Sequence, residues 1–305
     1  MSVKPLLHEL SELLNPARYG DDSRRIVHGR GHTLPGYEWL TIDWHPPVLV
    51  ATLYKNPGEQ ALNDLLELLK TNHQQTNIPT FIQYRFSGEL VDQWLGEAPE
   101  QVFASRNELK FELNLGERQN LGYFIDMEPG RQWLETICRE QPGSRGLNLF
   151  AYTCALSCVA LSSGASEVVN VDMSRGALTI GQRNHQWNNL KGGRFLKMDV
   201  LKSWKKLASN GPYDWVILDP PSYQKGSFVA QKDYQKLLRH LPKVLSPGTQ
   251  ILAALNAPEL PESFLNDLIA EQLPTAKFIE RLPMHEDFPE ADRDRGLKLL
   301  VYRYE

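Results

Sequence analysis

The chain has 305 residues, 41% hydrophobic and 23% charged, with a formal net charge of −4. That length is comfortable for two domains and can bury a core without disulfides, and the slight acidity argues against a module whose task is to coat nucleic acid. Three cysteines (Cys138, Cys154, Cys158) with no CxxC pair exclude a zinc ribbon or a dithiol redox motif, so no metal site is expected. No stretch approaches the roughly 20 apolar residues of a membrane span, and a reducing cytoplasm is the expected compartment.

The N-terminus carries Leu6, Leu7, Leu10, Leu13 and Leu14 at helical spacing, interrupted by Lys4, His8, Glu9 and Glu12, which is not a signal-peptide core. Strand-like runs follow at 39–43 and 48–54, separated by His45-Pro46-Pro47, then a helix over about 57–72 and strands at 80–86, 101–105 and 109–115. This predicts a small α+β domain over 1–118. A helix at about 128–140 leads into a domain spanning 119–305, where strands (147–150, 167–172, 194–198, 214–219, 249–255) alternate with helices (154–163, 174–189, 201–208, 228–245, 261–273). Such alternation predicts an α/β fold, a Rossmann-like parallel sheet with helices on both faces. Two last strands, 277–283 and 297–304, have no helix between them and predict an antiparallel pair at one edge, which resembles the layout of the seven-stranded methyltransferase variant of that sheet.

The chemistry-bearing stretches lie at the ends of those strands. NLFAYTCALSCVAL (148–161) is a strand, a turn and a helix, and contains no glycine. A dinucleotide's pyrophosphate would need glycines here to approach bare backbone, so a phosphate-bearing cofactor is disfavoured. The plainer reading is a strand–helix turn with Thr153 as the helix cap. Asp172, ending VVNVD, sits where an acid accepts ribose hydroxyls, and equally where it caps the next helix with Ser174. Asp199, after RFLKM, ends the third strand and reads on its own as a cap of the helix starting near Leu201. DWVILDPPSY (214–223) runs a strand into Asp219, Pro220, Pro221 and Tyr223; a structural proline turn accounts for neither the acid nor the aromatic.

In order, NLFAYT, VDMS, Asp199-Val200 and DPPSY resemble the motifs of a class I S-adenosylmethionine-dependent methyltransferase. More narrowly the chain resembles the bacterial large-subunit ribosomal RNA methyltransferases I and K. GYFIDMEPGR (122–131) is similar to that family's GxFxDxRxxR element, and HGRGHTLPGYEWLTID (28–43) to its GxxDxLPGLxVD pattern. The likeness covers about residues 25–305, with no room for the RNA-binding PUA domain that methyltransferase I carries. It implies that S-adenosylmethionine is the cofactor. Asp126 and Arg131 would help close its pocket, and Asn148, Phe150, Tyr152 and Thr153 would form the floor. Asp172 and Met173 would hold ribose and adenine, Asp199 and Val200 the adenine, and Asp219 the methionine end.

The chain departs from the family in three places. Cys154 and Ala155 stand where glycines are usual, and Glu128 where an arginine is expected. Carbon-5 methylation of cytosine needs a cysteine nucleophile, found in methyltransferase I after the fifth strand; here Leu255 and Asn256 occupy that region. What remains is direct transfer to a nitrogen or an oxygen; the expected reaction is transfer to a nitrogen of an RNA base, with ribosomal RNA the expected partner. Asp219, Pro220, Pro221 and Tyr223 would position the acceptor. The competing readings are a methyltransferase for a protein side chain or small molecule, and a cofactor-binding relative without catalysis. Basic residues cluster at Arg183, His185, Lys191, Arg194, Lys197, Lys202, Lys205 and Lys206, at Lys225, Lys232, Lys236 and Arg239, and in RRIVHGRGH (24–32). Each cluster reads either as phosphate contacts or as a solvated face.

Overall fold

The computed structural model describes residues 10–15, 18–86, 91–224 and 228–305. Leu6 and Leu7 of the N-terminal leucine pattern, and Lys225, lie outside the described residues. The chain forms two compact units, Met1–Ile125 with Glu286–Ala291, and Asp126–His285 with Asp292–Glu305. Among the described residues no helix is long and apolar enough to cross a membrane.

The first unit is built on a five-stranded sheet of order β1-β2-β3-β4-β5. Its strands are β1 (Arg24–His28), β2 (Leu40–His45), β3 (Val48–Leu53), β4 (Thr80–Tyr84) and β5 (Val91–Leu95). Neighbours are antiparallel except β3 and β4, which are parallel and joined by helix α1 (Glu59–Thr76), as a parallel pair requires a crossover. Every residue of β2 and β3 is buried, and α1 contributes Leu65, Leu69 and Asn72 at i, i+4, i+7. Strands β1 and β5 were not expected from the sequence. Both are edges, RRIVH and VDQWL, where one-sided burial leaves too few apolar residues to signal a strand. A separate hairpin joins β6 (Val102–Arg106) and β7 (Leu109–Leu113) through Asn107, left-handed at φ 51°.

The segment 286–291 packs on β1 within this unit. Arg24 pairs with Asp287, the Arg25 guanidinium lies 4.4 Å from the Phe288 ring centroid, and Ala291 N–H donates to the Gly31 carbonyl at 2.8 Å. A Cβ on Gly31 would sit 1.9 Å from the Pro289 carbonyl oxygen, so only glycine fits there.

The second unit holds a seven-stranded sheet of order β10-β9-β8-β11-β14-β16-β15. Its strands are β8 (Arg145–Leu149), β9 (Glu167–Asp172), β10 (Gly193–Lys197), β11 (Trp215–Leu218), β14 (Gln250–Leu255), β15 (Ala276–Arg281) and β16 (Lys298–Tyr304). The first five are parallel, and β16 and β15 add antiparallel, the edge arrangement the sequence predicts. Its helices are α2 (Glu128–Glu140), α3 (Ala155–Ser162), α4 (Arg175–Trp187), α5 (Trp204–Ala208), α6 (Ala230–His240) and α7 (Glu262–Gln272).

Strand residues alternate between two cores. Val216 and Leu218 join the cluster under α6 and α7, while Trp215 and Ile217 join the one containing Leu134 of α2 and Leu156 of α3. Trp215 fits because position 146 is glycine: a Cβ there would lie 2.0 Å from its ring. The predicted helix 228–245 is instead a short strand β13 (Phe228–Val229), then α6, then a 3₁₀ turn at Leu241–Lys243. Pro242 has no N–H to continue the α-helical ladder. β13 pairs antiparallel with β12 (Tyr223–Gln224).

Strand order runs outward from β8 in one direction and from β11 in the other. The crevice at the carboxyl ends of these two neighbours is the topological switch point, where open α/β sheets bind ligands.

Candidate active site

The turn that follows β8 is left-handed at three residues, none of them glycine: Phe150 (φ 61°), Tyr152 (φ 48°) and Cys154 (φ 60°). Each such residue costs about 1–2 kcal/mol relative to a right-handed one. Glycines were expected at 154 and 155; the geometry explains the first, since a glycine at 154 would adopt this φ freely. The turn is held by Ala151 N–H to the Val171 carbonyl (3.0 Å), Cys154 N–H to the Ala151 carbonyl (2.7 Å) and Tyr152 N–H to Asp172 Oδ2 (2.9 Å). Cys154, not Thr153, occupies the N-cap of α3, without a side-chain cap bond. It is fully buried, and a Cβ on Gly181 would come within 2.5 Å of its Sγ.

Asp172 thus serves the turn and the following helix together. Oδ2 accepts Tyr152 N–H, and Oδ1 accepts Ser174 N–H at 2.7 Å while Ser174 itself caps α4 through Ala177 N–H. A carboxylate oxygen has a second lone pair, so both oxygens can still accept hydroxyl donors. Met173 beside it is 45% exposed. Asp199 Oδ1 caps the 3₁₀ turn at Val200–Lys202 through Leu201 N–H (3.0 Å), and Oδ2 lies 3.1 Å from Lys202 Nζ. Val200 is buried. For Asp172 and Asp199 the cap that competes with a cofactor contact is therefore made, and the chemistry leaves room for both.

Asp219 follows β11, across the switch point from Phe150. Burial pushes its carboxyl up to about 7, the Asp126 carboxylate adds to the push, and the Arg131 guanidinium opposes it. Arg131, on α2, is almost fully buried and lies 3.6 Å from Glu128 Oε2. Glu128, the departure from the expected arginine, supplies that guanidinium with a carboxylate one turn away. Pro220 is buried and Pro221 half-buried. The Ser222 carbonyl accepts Ala230 N–H at 2.9 Å, and Tyr223, paired opposite Val229 on the β12–β13 hairpin, is 68% exposed. Phe150 meets Phe228 edge-to-face at 5.3 Å, and Tyr234 beyond it is buried, its hydroxyl donating to the Ala254 carbonyl at 3.0 Å.

No thiol here is fit to act as a nucleophile. All three cysteines are buried, and desolvation raises each above its ordinary value, Cys138 to about 11. Leu255 is buried at the end of β14 and Asn256 is exposed after it.

A family model described as S-adenosylmethionine-dependent methyltransferase matches residues 24–303. The chain belongs to that family. It is a methyltransferase, and S-adenosylmethionine is its cofactor. Similar proteins include the ribosomal RNA large subunit methyltransferase K/L of Hahella chejuensis, 30% identical over 73% of this chain and 32% of that protein. The ribosomal RNA large subunit methyltransferase I of Photobacterium profundum is 27% identical over 90% of this chain and 71% of that protein. The chain therefore spans about a third of the K/L relative's length. A structure described as a SAM-dependent methyltransferase from Streptococcus mutans matches the fold with a TM-score of 0.84 at 23% identity, over 99% of this chain and 82% of that one.

Two of the expected floor residues of this methyltransferase turn inward. Asn148 and Thr153 are each about 1% exposed. The Thr153 carbonyl accepts Asn184 Nδ2–H at 3.0 Å, and Asn148 starts a buried polar relay that the sequence reading missed. Asn148 Nδ2 donates to Asn170 Oδ1 (3.0 Å), Asn170 Nδ2 to Ser157 Oγ (2.9 Å), and Ser157 Oγ to His185 Nε2 (2.9 Å). His185 Nδ1 lies 2.7 Å from the Gly181 carbonyl, which can only accept, so the proton is on Nδ1 and Nε2 is free to take the serine hydrogen. Burial holds the His185 pKa below its ordinary value, in keeping with a neutral ring. Asn170, a polar residue within the apolar run EVVNVD, was the available clue. His185 thus leaves the basic cluster to which the sequence assigned it: it is in the core, not among phosphate contacts.

Other members of those clusters are also engaged. Arg194 lies 3.6 Å from Glu167, Lys236 2.7 Å from Asp233, and Arg239 bonds Gln272 and Gln235. In the first unit Arg25 makes a two-pronged pair with Asp43 (2.7 and 3.0 Å), and His28 Nε2 lies 3.3 Å from Glu290. Most of RRIVHGRGH is thus already neutralised.

Proposed function

We propose that this methyltransferase transfers a methyl group to a nitrogen of a base in RNA, with ribosomal RNA as the substrate and the first unit contributing to its recognition. The observation that carries this reading is the corner Asp219-Pro220-Pro221-Ser222-Tyr223 at the switch point. There a carboxyl with a pKa near 7 stands four residues before an exposed aromatic ring, and every thiol is buried. Without an activatable thiol, carbon-5 chemistry on cytosine lacks its covalent step, whereas a nitrogen already carries the lone pair it needs. The names of the relatives, ribosomal RNA methyltransferases, support RNA as the substrate class.

Bound at the carboxyl ends of β8, β9, β10 and β11, the cofactor supplies an electrophilic methyl on a sulfonium. The residues that fit it are Asp172 and Met173 for ribose and adenine, Asp199 and Val200 for the adenine edge, and Asp219 for the cationic methionine end. Asp126 and Arg131 flank Asp219, Phe150, Tyr152 and Thr153 shape the turn, and Asn148 anchors the buried relay from β8. Tyr223 offers a π-face to a planar base. For an exocyclic amine, the Asp219 carboxylate and the Pro220 carbonyl accept its N–H bonds and aim its lone pair. The Asp219 carboxylate, held ionised by the cofactor's cationic end, then takes the proton the amine loses.

Incubation of the chain with methyl-labelled cofactor and ribosomal subunits, naked ribosomal RNA or cell extract tests the reading. Label is expected in RNA, on a base nitrogen after nucleoside digestion, and Asp219→Ala should abolish it with the fold retained. Label confined to protein or small molecules, or found on cytosine carbon 5, would refute it.

A further inference from the structure

The sequence singles out RRIVHGRGH as a basic stretch, and the structure splits it into two classes. Arg24, Arg25 and His28 each face a carboxylate within their own unit: Asp287, Asp43 and Glu290. Arg30 does not. Its guanidinium carbon lies 4.3 Å from the centroid of the Tyr54 ring, and a second arginine, Arg85, shares that ring at 5.1 Å. Among the described residues neither Arg30 nor Arg85 has an ion pair; Arg85 bonds only a neutral amide, Gln119 Oε1, at 3.4 Å.

The local backbone is built to present these groups. Arg30 stands between two glycines that allow no side chain: a Cβ on Gly29 would lie 1.7 Å from the Tyr37 carbonyl oxygen, and one on Gly31 1.9 Å from that of Pro289. Tyr54 is the first residue past β3, its N–H donating to the Trp39 carbonyl at 2.8 Å. Arg85 is the first past β4, its N–H donating to the Leu53 carbonyl at 2.8 Å. The two strands are parallel, so Tyr54 and Arg85 leave the sheet side by side at the carboxyl end of its one parallel pair, the end at which α/β sheets take ligands. Arg30 is exposed, and Tyr54 and Arg85 are half-buried.

Two guanidiniums gathered on one ring, with neither paired to a carboxylate among the described residues, repel each other, and an anion between them reverses the sign of that term. Guanidinium geometry matches phosphate in a two-pronged contact, and stacking on tyrosine holds the fork in place while leaving its N–H edge free. We propose that Arg30 and Arg85, carried on Tyr54, form a site for backbone phosphates of a single-stranded segment of the RNA substrate. The proposal rests on the RNA reading given above and adds to it a contact surface in the first unit. The overall negative charge of the chain is no obstacle, because the contact needs only this local pair of cations.

Fluorescence anisotropy of a short, labelled, mixed-sequence single-stranded RNA, titrated with the full chain across a salt series, tests it. Three proteins are compared: wild type, Arg30→Gln/Arg85→Gln and Arg30→Lys/Arg85→Lys, with thermal midpoints as the check on folding. The glutamine pair is expected to bind at least about tenfold more weakly, and its slope of log affinity against log salt to shrink by about 1.4, two phosphate contacts at about 0.7 each. The lysine pair keeps both charges, so its slope stays near wild type while its affinity falls less. Wild-type affinity and slope in a folded glutamine pair would overturn the proposal and leave the RNA reading standing. No RNA binding by the wild-type chain, with label passing to protein or small molecules instead, would remove both.

Discussion

Raising the pH from 6 to 8 should tighten S-adenosylmethionine binding about tenfold, and the reason lies in Asp219. Burial and the neighbouring Asp126 carboxylate lift its pKa to about 7 despite Arg131. Without cofactor, its carboxyl is about one-tenth ionised at pH 6 and about nine-tenths at pH 8. If the cationic methionine end of the cofactor meets the ionised form, affinity follows that fraction, a change of about 1.4 kcal/mol. At pH 6 binding must therefore expel close to one proton, and at pH 7 about half of one. The folded pKa is raised above the unfolded value, so Asp219 stabilises the cofactor-free protein below the ordinary aspartate range and loses that contribution as pH rises through 7. The cofactor reverses this trend by giving the carboxylate a cation. Calorimetry at pH 6, 7 and 8, in buffers of different ionisation enthalpy, reads affinity and proton release together. Asp219→Asn should flatten the profile, and Asp126→Asn, which removes the like charge, should move its midpoint downward. An affinity constant within twofold from pH 6 to 8 with no proton release would refute the reasoning, as would a midpoint unmoved in Asp126→Asn.

Cys154 and Gly181 form a reciprocal pair. Gly181→Ala places a Cβ 2.5 Å from Cys154 Sγ and should cost about 1–3 kcal/mol in urea denaturation, whereas the same change combined with Cys154→Gly should recover most of that loss; additivity within about 0.5 kcal/mol would sink the idea. Gly146→Ala drives a Cβ to 2.0 Å from the Trp215 ring in the centre of the sheet and should destabilise by at least about 2 kcal/mol, seen as a lowered denaturation midpoint. His45 is buried against Ser23, and burial lowers its pKa to about 4. Since the unfolded ring binds its proton first, stability should fall as pH drops from 6.5 towards 4, by about 3 kcal/mol at the limit. Equilibrium unfolding of His45→Asn should lack that share of the acid lability.

How much of this was legible beforehand differs between the sheet and the site. The alternation of apolar strand runs with amphipathic helices announced the second unit's sheet, because a strand buried on both faces must be apolar along its length, as WVIL (215–218) is. The antiparallel edge was legible for the same kind of reason: FIERLP and LKLLVYRY have no helical stretch between them. Edge strands β1 and β5 were invisible because half of each is solvated or ion-paired, which erases the apolar signal. The Asp219 corner announced itself because two prolines and an acid at a strand end violate strand chemistry, and such violations collect at functional sites.

The sequence by itself determined the alternating parallel sheet with its antiparallel edge, the order of its strand-end motifs and the lack of a cysteine after β14, all consequences of short-range pattern and residue identity. Only the tertiary structure decided which charges are already matched: His185 neutral in a relay with Ser157, Arg24 and Arg25 neutralised, Arg30 left with Arg85 on Tyr54, and Asp219 lifted towards neutrality by burial and, after that, by Asp126. The physical reason is that a pKa or a free cation depends on burial and on partners far along the chain, such as Asp287 for Arg24, and local sequence carries no record of either.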